Sequence, residues 1–163
     1  MSVRRKAVGG IAGSVAALAL AVNFIGGWEG SETTAYWDHF GAVWTVCSGE
    51  TRGVGQGDSY TQAQCDAMLA DGILDFERQL DACLTHEDDI PVNAKIAFVS
   101  WIYNVGAGAA CGSTLVRKAN AGDLDGACRE LPRWNRAGGQ IIRGLSNRRG
   151  AERRMCLDAL ADQ

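Results

Sequence analysis

The sequence predicts an α+β domain with a helical bulk, a small glycine-rich β-hairpin region and an apolar helix ahead of both. Three observations carry this. Ala7 to Gly27 is an uncharged, apolar run of 21 residues. Asp38 to Asp58 alternates glycine turns with short apolar pieces ("AVWTVCSG", "GVGQGD"). From Thr61 onward, apolar residues return at helical spacing. A chain of 163 residues suits one compact domain with a modest core, and no linker, repeat or low-complexity tract divides the part after Gly27.

The N-terminal run has about the ~20 residues that a membrane-spanning helix needs. Arg4, Arg5 and Lys6 precede it. The positive-inside rule therefore leaves the N-terminus in the cytoplasm and sends the body outward. The run is weakly apolar, since only eight of its residues are large and apolar while six are Ala and five are Gly. Three readings stand open: a signal peptide cleaved after Ala19-Leu20-Ala21, a permanent anchor, or a segment that inserts and later leaves the bilayer. The body begins at Trp28.

Within the body, Val43 to Cys47 reads as a strand and the surrounding glycines as hairpin turns. Gly53-x-Gly55-x-Gly57 lacks the lysine and spacing of a phosphate loop, and turn glycines explain it. "TQAQ" is a capping box with Thr61 as N-cap; Cys65, Met68, Leu69, Ile73 and Phe76 follow at helical spacing. Pro91 opens a helix whose "AKIAFVSWIYNVG" is apolar on most sides, hence buried. "NVGAGAACG" breaks it. Further helices run over 114–121, stopped by Gly122, over 123–130, ended by Leu131-Pro132, and over 146–161, with Met155, Ala159 and Leu160 inward. Trp134 reads as core.

Charge is distributed unevenly. Residues 29–116 hold thirteen acids and three bases, and residues 117–163 ten bases and six acids. The acidic middle argues against nucleic acid as a partner, because phosphate repels it. The basic end suits an anionic polymer such as cell wall, or is an ordinary solvated face. Six cysteines (Cys47, Cys65, Cys83, Cys111, Cys128 and Cys156) lie after the apolar run. No CxxC occurs and the histidines are His39 and His86, so no zinc-ligand spacing exists. An even count at wide spacing reads as disulfides in an oxidising compartment, with fifteen pairings open.

Glu29 and Asp38, nine residues apart, are candidates for paired-carboxylate chemistry. A helix end followed by a strand would set them on opposite sides of one cleft. Glycoside hydrolysis needs such a pair, one protonated to serve the leaving oxygen and one ionised. Nine residues separate many acid pairs, and the spacing by itself fits two ordinary surface charges better. Ser48 and Ser59 lack a G-x-S-x-G elbow, so no nucleophilic serine competes.

"EGSETTAYWDHFGAVWTVCSGE" resembles the active-site region of phage-type lysozymes, the muramidases of glycoside hydrolase family 24. Glu29-Gly30, Tyr36-Trp37-Asp38, Gly41 and Trp44-Thr45-Val46 match that family's pattern in order. "WIYNVGAGAACGSTLVRKANAGD" resembles its long buried helix and following loop, and "RWNRAGGQIIRGLSNRR" its C-terminal substrate-side segment. The resemblance covers residues 29 to about 157. Two departures are visible. Thr45 follows Asp38 by seven positions where the family commonly has six, which a bulge would absorb. "SGET" stands in place of the more usual Gly-His-Thr.

The resemblance implies a lysozyme-like fold and a role for each residue. Glu29 would protonate the glycosidic oxygen, and Asp38 with Thr45 would hold the attacking water. Inversion would follow, with carboxyl groups ~6.5–9.5 Å apart. Asn104 would bind sugar at the cleft, or serve as a helix C-cap; Arg148 would bind substrate, and Arg148 or Arg149 would set a guanidinium beside Glu29, while ordinary solvated basic residues account better for most of that cluster. It implies the disulfides Cys83–Cys111, Cys47–Cys65 and Cys128–Cys156, no metal and no cofactor. The implied substrate is peptidoglycan, cut at the β-1,4 bond between N-acetylmuramic acid and N-acetylglucosamine. Residues 1–27 resemble the leaders of signal-arrest-release endolysins, and residues 28–163 form the catalytic domain. Such an enzyme uses the host secretion machinery and is held inactive at the host inner membrane, here through residues 7–27. Its body is periplasmic, and its release lyses the cell. Gly26-Gly27 would be the flexible joint of that release. A non-catalytic wall-binding protein and a lytic transglycosylase are the alternatives.

Overall fold

The computed structural model describes residues 10–162. Arg4, Arg5, Lys6 and the first residues of the apolar run lie outside the described part. A short 3-10 turn at Ile11–Gly13 leads into helix α1, Val15–Glu29. Ser14 caps α1, its Oγ accepting the Ala17 N–H at 3.2 Å. Gly30, at φ 72°, ends the helix in a conformation that glycine adopts without strain.

Strand β1 (Glu32–Asp38) then runs antiparallel to β2 (Val43–Cys47). Asp38 pairs with Val43, Trp37 with Trp44 and Tyr36 with Thr45. The register shifts between Glu32 and Tyr36. The irregularity therefore falls at the far end of β1. The turn itself closes over residues 39–42, with Ala42 at φ 50° in the left-handed region. That turn, rather than a bulge, accommodates the seven-residue interval from Asp38 to Thr45.

Helix α2 (Gln62–Asp81) starts from the expected capping box: Thr61 and Gln64 satisfy each other's backbone N–H groups. Its inner face is Cys65, Leu69, Ile73, Glu77 and Leu80; Met68 and Phe76 are only half-buried. Helix α3 (Val92–Val105) is buried continuously from Ala94 to Ile102 and forms the axis of the core. It packs against α1, α2 and the last helix, α7 (Arg143–Ala161). Three short helices bridge them: α4 (Ala107–Cys111), α5 (Thr114–Asn120) and α6 (Leu124–Glu130). Trp134 stacks edge-on against the buried Trp101 with ring centroids 5.2 Å apart. The disulfides are Cys47–Cys65, Cys83–Cys111 and Cys128–Cys156. They tie β2 to α2, the turn after α2 to α4, and α6 to α7.

Several elements differ from expectation. The stretch read as a break after α3 contains α4. The hairpin of β3 (Arg136–Ala137) and β4 (Gln140–Ile141) had no strand-like alternation to announce it. Gly26 and Gly27 form no joint; both are helical, within α1. A Cβ on Gly26 would sit 3.1 Å from Leu69 Cδ2, so glycine there lets α1 approach α2 closely. Ala17, Ala21 and Ile25 form the buried face of α1, and Ile11, Ala21 and Ile25 join the main core. Among the described residues no helix is long and apolar enough to cross a membrane.

Candidate active site

Glu29 is the last residue of α1 and lies at the core's edge, its side chain 21% exposed. Arg148 donates to it, Nη1 to Oε1 at 2.7 Å. The guanidinium is itself buried and held on three sides. Arg148 Nε donates to Glu152 Oε1 at 3.1 Å, and Nη2 donates to the Ser100 carbonyl at 2.9 Å. Ser100 Oγ donates to the same Glu152 oxygen at 2.6 Å. Arg149, fully buried, pairs its Nε with Glu152 Oε2 at 2.9 Å and donates through Nη2 to Asn104 Oδ1 at 3.2 Å. One buried carboxylate thus orients two arginines, of which Arg148 reaches Glu29 and Arg149 reaches Asn104. A charge buried this way is tolerable only because it is paired and hydrogen-bonded.

The environment shifts these groups accordingly. Burial pushes the Arg149 guanidinium down to about 10, against the opposing charge of Glu152. Burial raises the Glu152 carboxyl, and Arg149, Ser100 and Arg148 work against that rise. Tyr103, on the last turn of α3, is raised by burial and then by the negative charges of Glu29 and Glu50. Its ring packs on Phe76, centroids 4.9 Å apart.

Asp38 ends β1, and its Oδ1 accepts the Phe40 N–H at 2.9 Å. A Cβ on Gly41 would sit 3.0 Å from Asp38 Oδ2, so the turn stays close to the carboxylate. Thr45 is buried and donates weakly to the Val43 carbonyl at 3.4 Å. Strand periodicity sets Asp38, Tyr36, Val43 and Thr45 on one face of the hairpin. Trp37 and Trp44 form an edge-to-face pair on the other, centroids 5.6 Å apart. In the "SGET" run, Ser48 Oγ donates to the Gly30 carbonyl at 2.9 Å and ties the end of β2 to the residue after Glu29. Glu50 turns onto Arg52, whose hydrogen bond holds its carboxyl below the usual range.

Asn104 is no C-cap, because Gly106 at φ 83° takes that position; Asn104 is exposed and reaches Arg149. Sequence reasoning missed Glu152, Ser100 and Tyr103. For Glu152 a signal existed: it stands three and four residues after Arg149 and Arg148, the spacing of helical ion pairs. Among the described residues no group of three His, Cys, Asp or Glu side chains is arranged to hold a metal ion.

The mostly helical body with its small hairpin is lysozyme-like, and its acid at a helix end is held by a buried arginine and joined to the hairpin through Ser48 and Gly30. The chain belongs to the phage lysozyme family, whose sequence model matches residues 26–152. It is 42% identical over 154 residues to a SAR-endolysin of Enterobacteria phage P21, covering 93% of this chain and 91% of that relative. Its fold matches the active form of the P1 phage endolysin Lyz at TM-score 0.74 and 28% identity, over 90% of this chain and 95% of that one. Against the secreted inactive form of the same endolysin, the TM-score is 0.51 at 30% identity, over 66% of this chain and 76% of that one.

Proposed function

We propose that the chain is a phage endolysin that hydrolyses the β-1,4 bond between N-acetylmuramic acid and N-acetylglucosamine in peptidoglycan, and so lyses the host. The observation that carries this is Glu29 fixed through Oε1 by a buried Arg148, beside a hairpin bearing Asp38 and Thr45 on one face. Oε2 of Glu29 is the oxygen that would carry the proton to the leaving glycosidic oxygen. Asp38 would accept a proton from water, and the Thr45 hydroxyl would orient that water on the opposite face of the sugar. Inversion at the anomeric carbon follows, provided the carboxyl groups stand ~6.5–9.5 Å apart in the complex. Asn104, which is exposed, would bind sugar, and the buried Arg148 would position Glu29 rather than touch substrate.

Residues 1–27 serve as the signal-anchor. They are exported by the host secretion machinery with the body in the periplasm, are held at the inner membrane, and later leave the membrane intact. The mixed character of α1 supports this. Its inner face is small and apolar, while Val15, at 89% exposure, and Leu20 remain in water. A segment that must serve in bilayer and in water cannot be strongly apolar. The P21 relative carries the name SAR-endolysin, and the fold lies nearer the active than the inactive form of the P1 endolysin.

Turbidity of outer-membrane-permeabilised Gram-negative cells tests the catalytic reading: wild type clears them and Glu29→Gln does not. Clearing by Glu29→Gln removes Glu29 as the acid. N-terminal sequencing of the periplasmic enzyme tests the release reading. The intact leader is expected, and a start at Val22 would mean ordinary signal cleavage.

A further inference from the structure

Glu77 lies far from the cleft, on the inner face of α2, and is 4% exposed. Among the described residues its carboxylate pairs with no arginine. It accepts two backbone N–H groups at the start of the described chain, Ile11 N–H at 2.5 Å on Oε1 and Ala12 N–H at 3.0 Å on Oε2. Ile11 is fully buried beneath it. A Cβ on Gly10 would fall 2.2 Å from Glu77 Oε1 and 3.6 Å from Lys95 Nζ, so a larger residue there would push the Glu77 carboxylate out of place. Lys95, itself buried, is anchored to Asp81 at 3.0 Å.

From this seat the chain reaches Glu29 in two hydrogen-bonded pieces that meet at Ser14, whose backbone is extended (φ −146°, ψ 120°). Gly13 N–H donates to Gly10 O, Ser14 N–H to Ile11 O, and Leu18 N–H to Ser14 O. Helix α1 continues without a break to Glu29, and Gly30 N–H closes onto Gly26 O. The 15 residues of α1 span about 22 Å at ~1.5 Å each. One end of this stretch is fixed by Glu77; the other carries the acid.

The rest of the α1 interface opposes axial sliding chiefly where Gly26 meets Leu69, and is otherwise built of small or regularly spaced apolar residues. Its inward residues, Ala17, Ala21 and Ile25, recur every four positions and are mostly small. A one-turn slip would bring Ala17 to the place of Ala21 and Ala21 to that of Ile25. It would carry Glu29 about 6 Å away from Arg148. Apolar contact is non-directional, whereas a buried carboxylate accepts from two particular amides. Fixing register is the best-attested service of a buried polar group.

We propose that Glu77 is a positioning residue for Glu29, acting through α1. It sets the axial register in which the N-terminal segment docks, and thereby the place of the acid against Arg148. The proposal rests on the reading of Glu29 as the acid, and it adds a second fixed point for that residue at the opposite end of its helix.

Two variants of the full chain test it, with turnover of soluble peptidoglycan oligosaccharides and amide hydrogen exchange as readouts. Glu77→Ala is expected to lower kcat about 10²-fold, the scale of a 1 Å misplacement, with KM within about twofold. Exchange at Ile11 and Ala12 should rise while the α3 amides stay protected. Glu77→Gln keeps one acceptor oxygen and falls between. Gly10→Ala crowds the Glu77 carboxylate with a Cβ and displaces it from its two amides, and reproduces the loss of kcat should Glu77→Ala fail to fold. Wild-type kcat in either folded Ala variant overturns the proposal, as does exchange that rises equally throughout the molecule. Full activity of Glu29→Gln is the separate result that would remove the reading beneath it.

Discussion

Glu29 and Asp38 are held by opposite means. Glu29 ends a helix packed into the core, and a buried arginine fixed by Glu152 and Ser100 grips one of its oxygens. Asp38 ends a strand in a two-stranded sheet, and its partner is the backbone N–H of Phe40, a residue wholly exposed. One carboxylate is set by tertiary structure and the other by its own turn. The difference suits the proposed roles. A proton donor must meet one substrate oxygen at one distance, so it gains from a rigid seat. A group that activates water works beside solvent, and a light hairpin admits both water and a polymer.

The contrast yields a graded set of outcomes. Glu29→Gln is expected to lower lytic activity by about 10³-fold, the middle of what general acid catalysis supplies. Asp38→Asn is expected to cost about 10²-fold and to leave Tm unchanged, because its partner is local and exposed. Full activity in Asp38→Asn, with none in Glu29→Gln, would shift the chemistry to a transglycosylase that needs only the acid. Glu152→Gln separates the seat from the acid. It strips a buried charge from two arginines and should destabilise the fold by about 3 kcal/mol in denaturant unfolding. Turnover by the folded fraction should fall about tenfold while KM changes little. A Glu152→Gln enzyme with wild-type turnover would mean that Arg148 needs no support.

The smallest effect lies away from the cleft. Hydrogen bonds from Lys118 and then Arg133 hold the Glu130 carboxyl below its usual range. A carboxyl lowered in the native state contributes stability above its unfolded pKa and loses it as the pH falls through the native one. Glu130→Gln should lower Tm at neutral pH by roughly 2 °C and flatten the acid limb of Tm against pH. An unchanged acid limb would mean that the pair contributes nothing.

Local signals in the sequence were read correctly where local physics decides. The Thr61 capping box, the strand from Val43 to Cys47 and the buried helix after Pro91 follow from side-chain chemistry within a few residues. The acid pair was visible as a spacing and became specific only through the family pattern. What stayed hidden depends on long-range contact. Glu77 and Lys95 interrupt apolar faces, and nothing nearby in sequence says that one receives Ile11 and Ala12 while the other pairs with Asp81. Gly26 and Gly27 looked like a joint because glycine frees the backbone; packing of α1 on α2 overrode that freedom. The weak hydropathy of Ala7 to Gly27 was informative. Ala17 and Ala21 are small because α1 lies against the core at those positions.

The stereochemistry of the first product tests the paired-carboxylate account most directly. A soluble peptidoglycan oligosaccharide is digested in an NMR tube, and the anomeric protons are followed before mutarotation. Water delivered by Asp38 to the face opposite Glu29 predicts the α-anomer of the new N-acetylmuramic acid end as the first species. First appearance of the β-anomer, or of a 1,6-anhydro end without any reducing end, would contradict it.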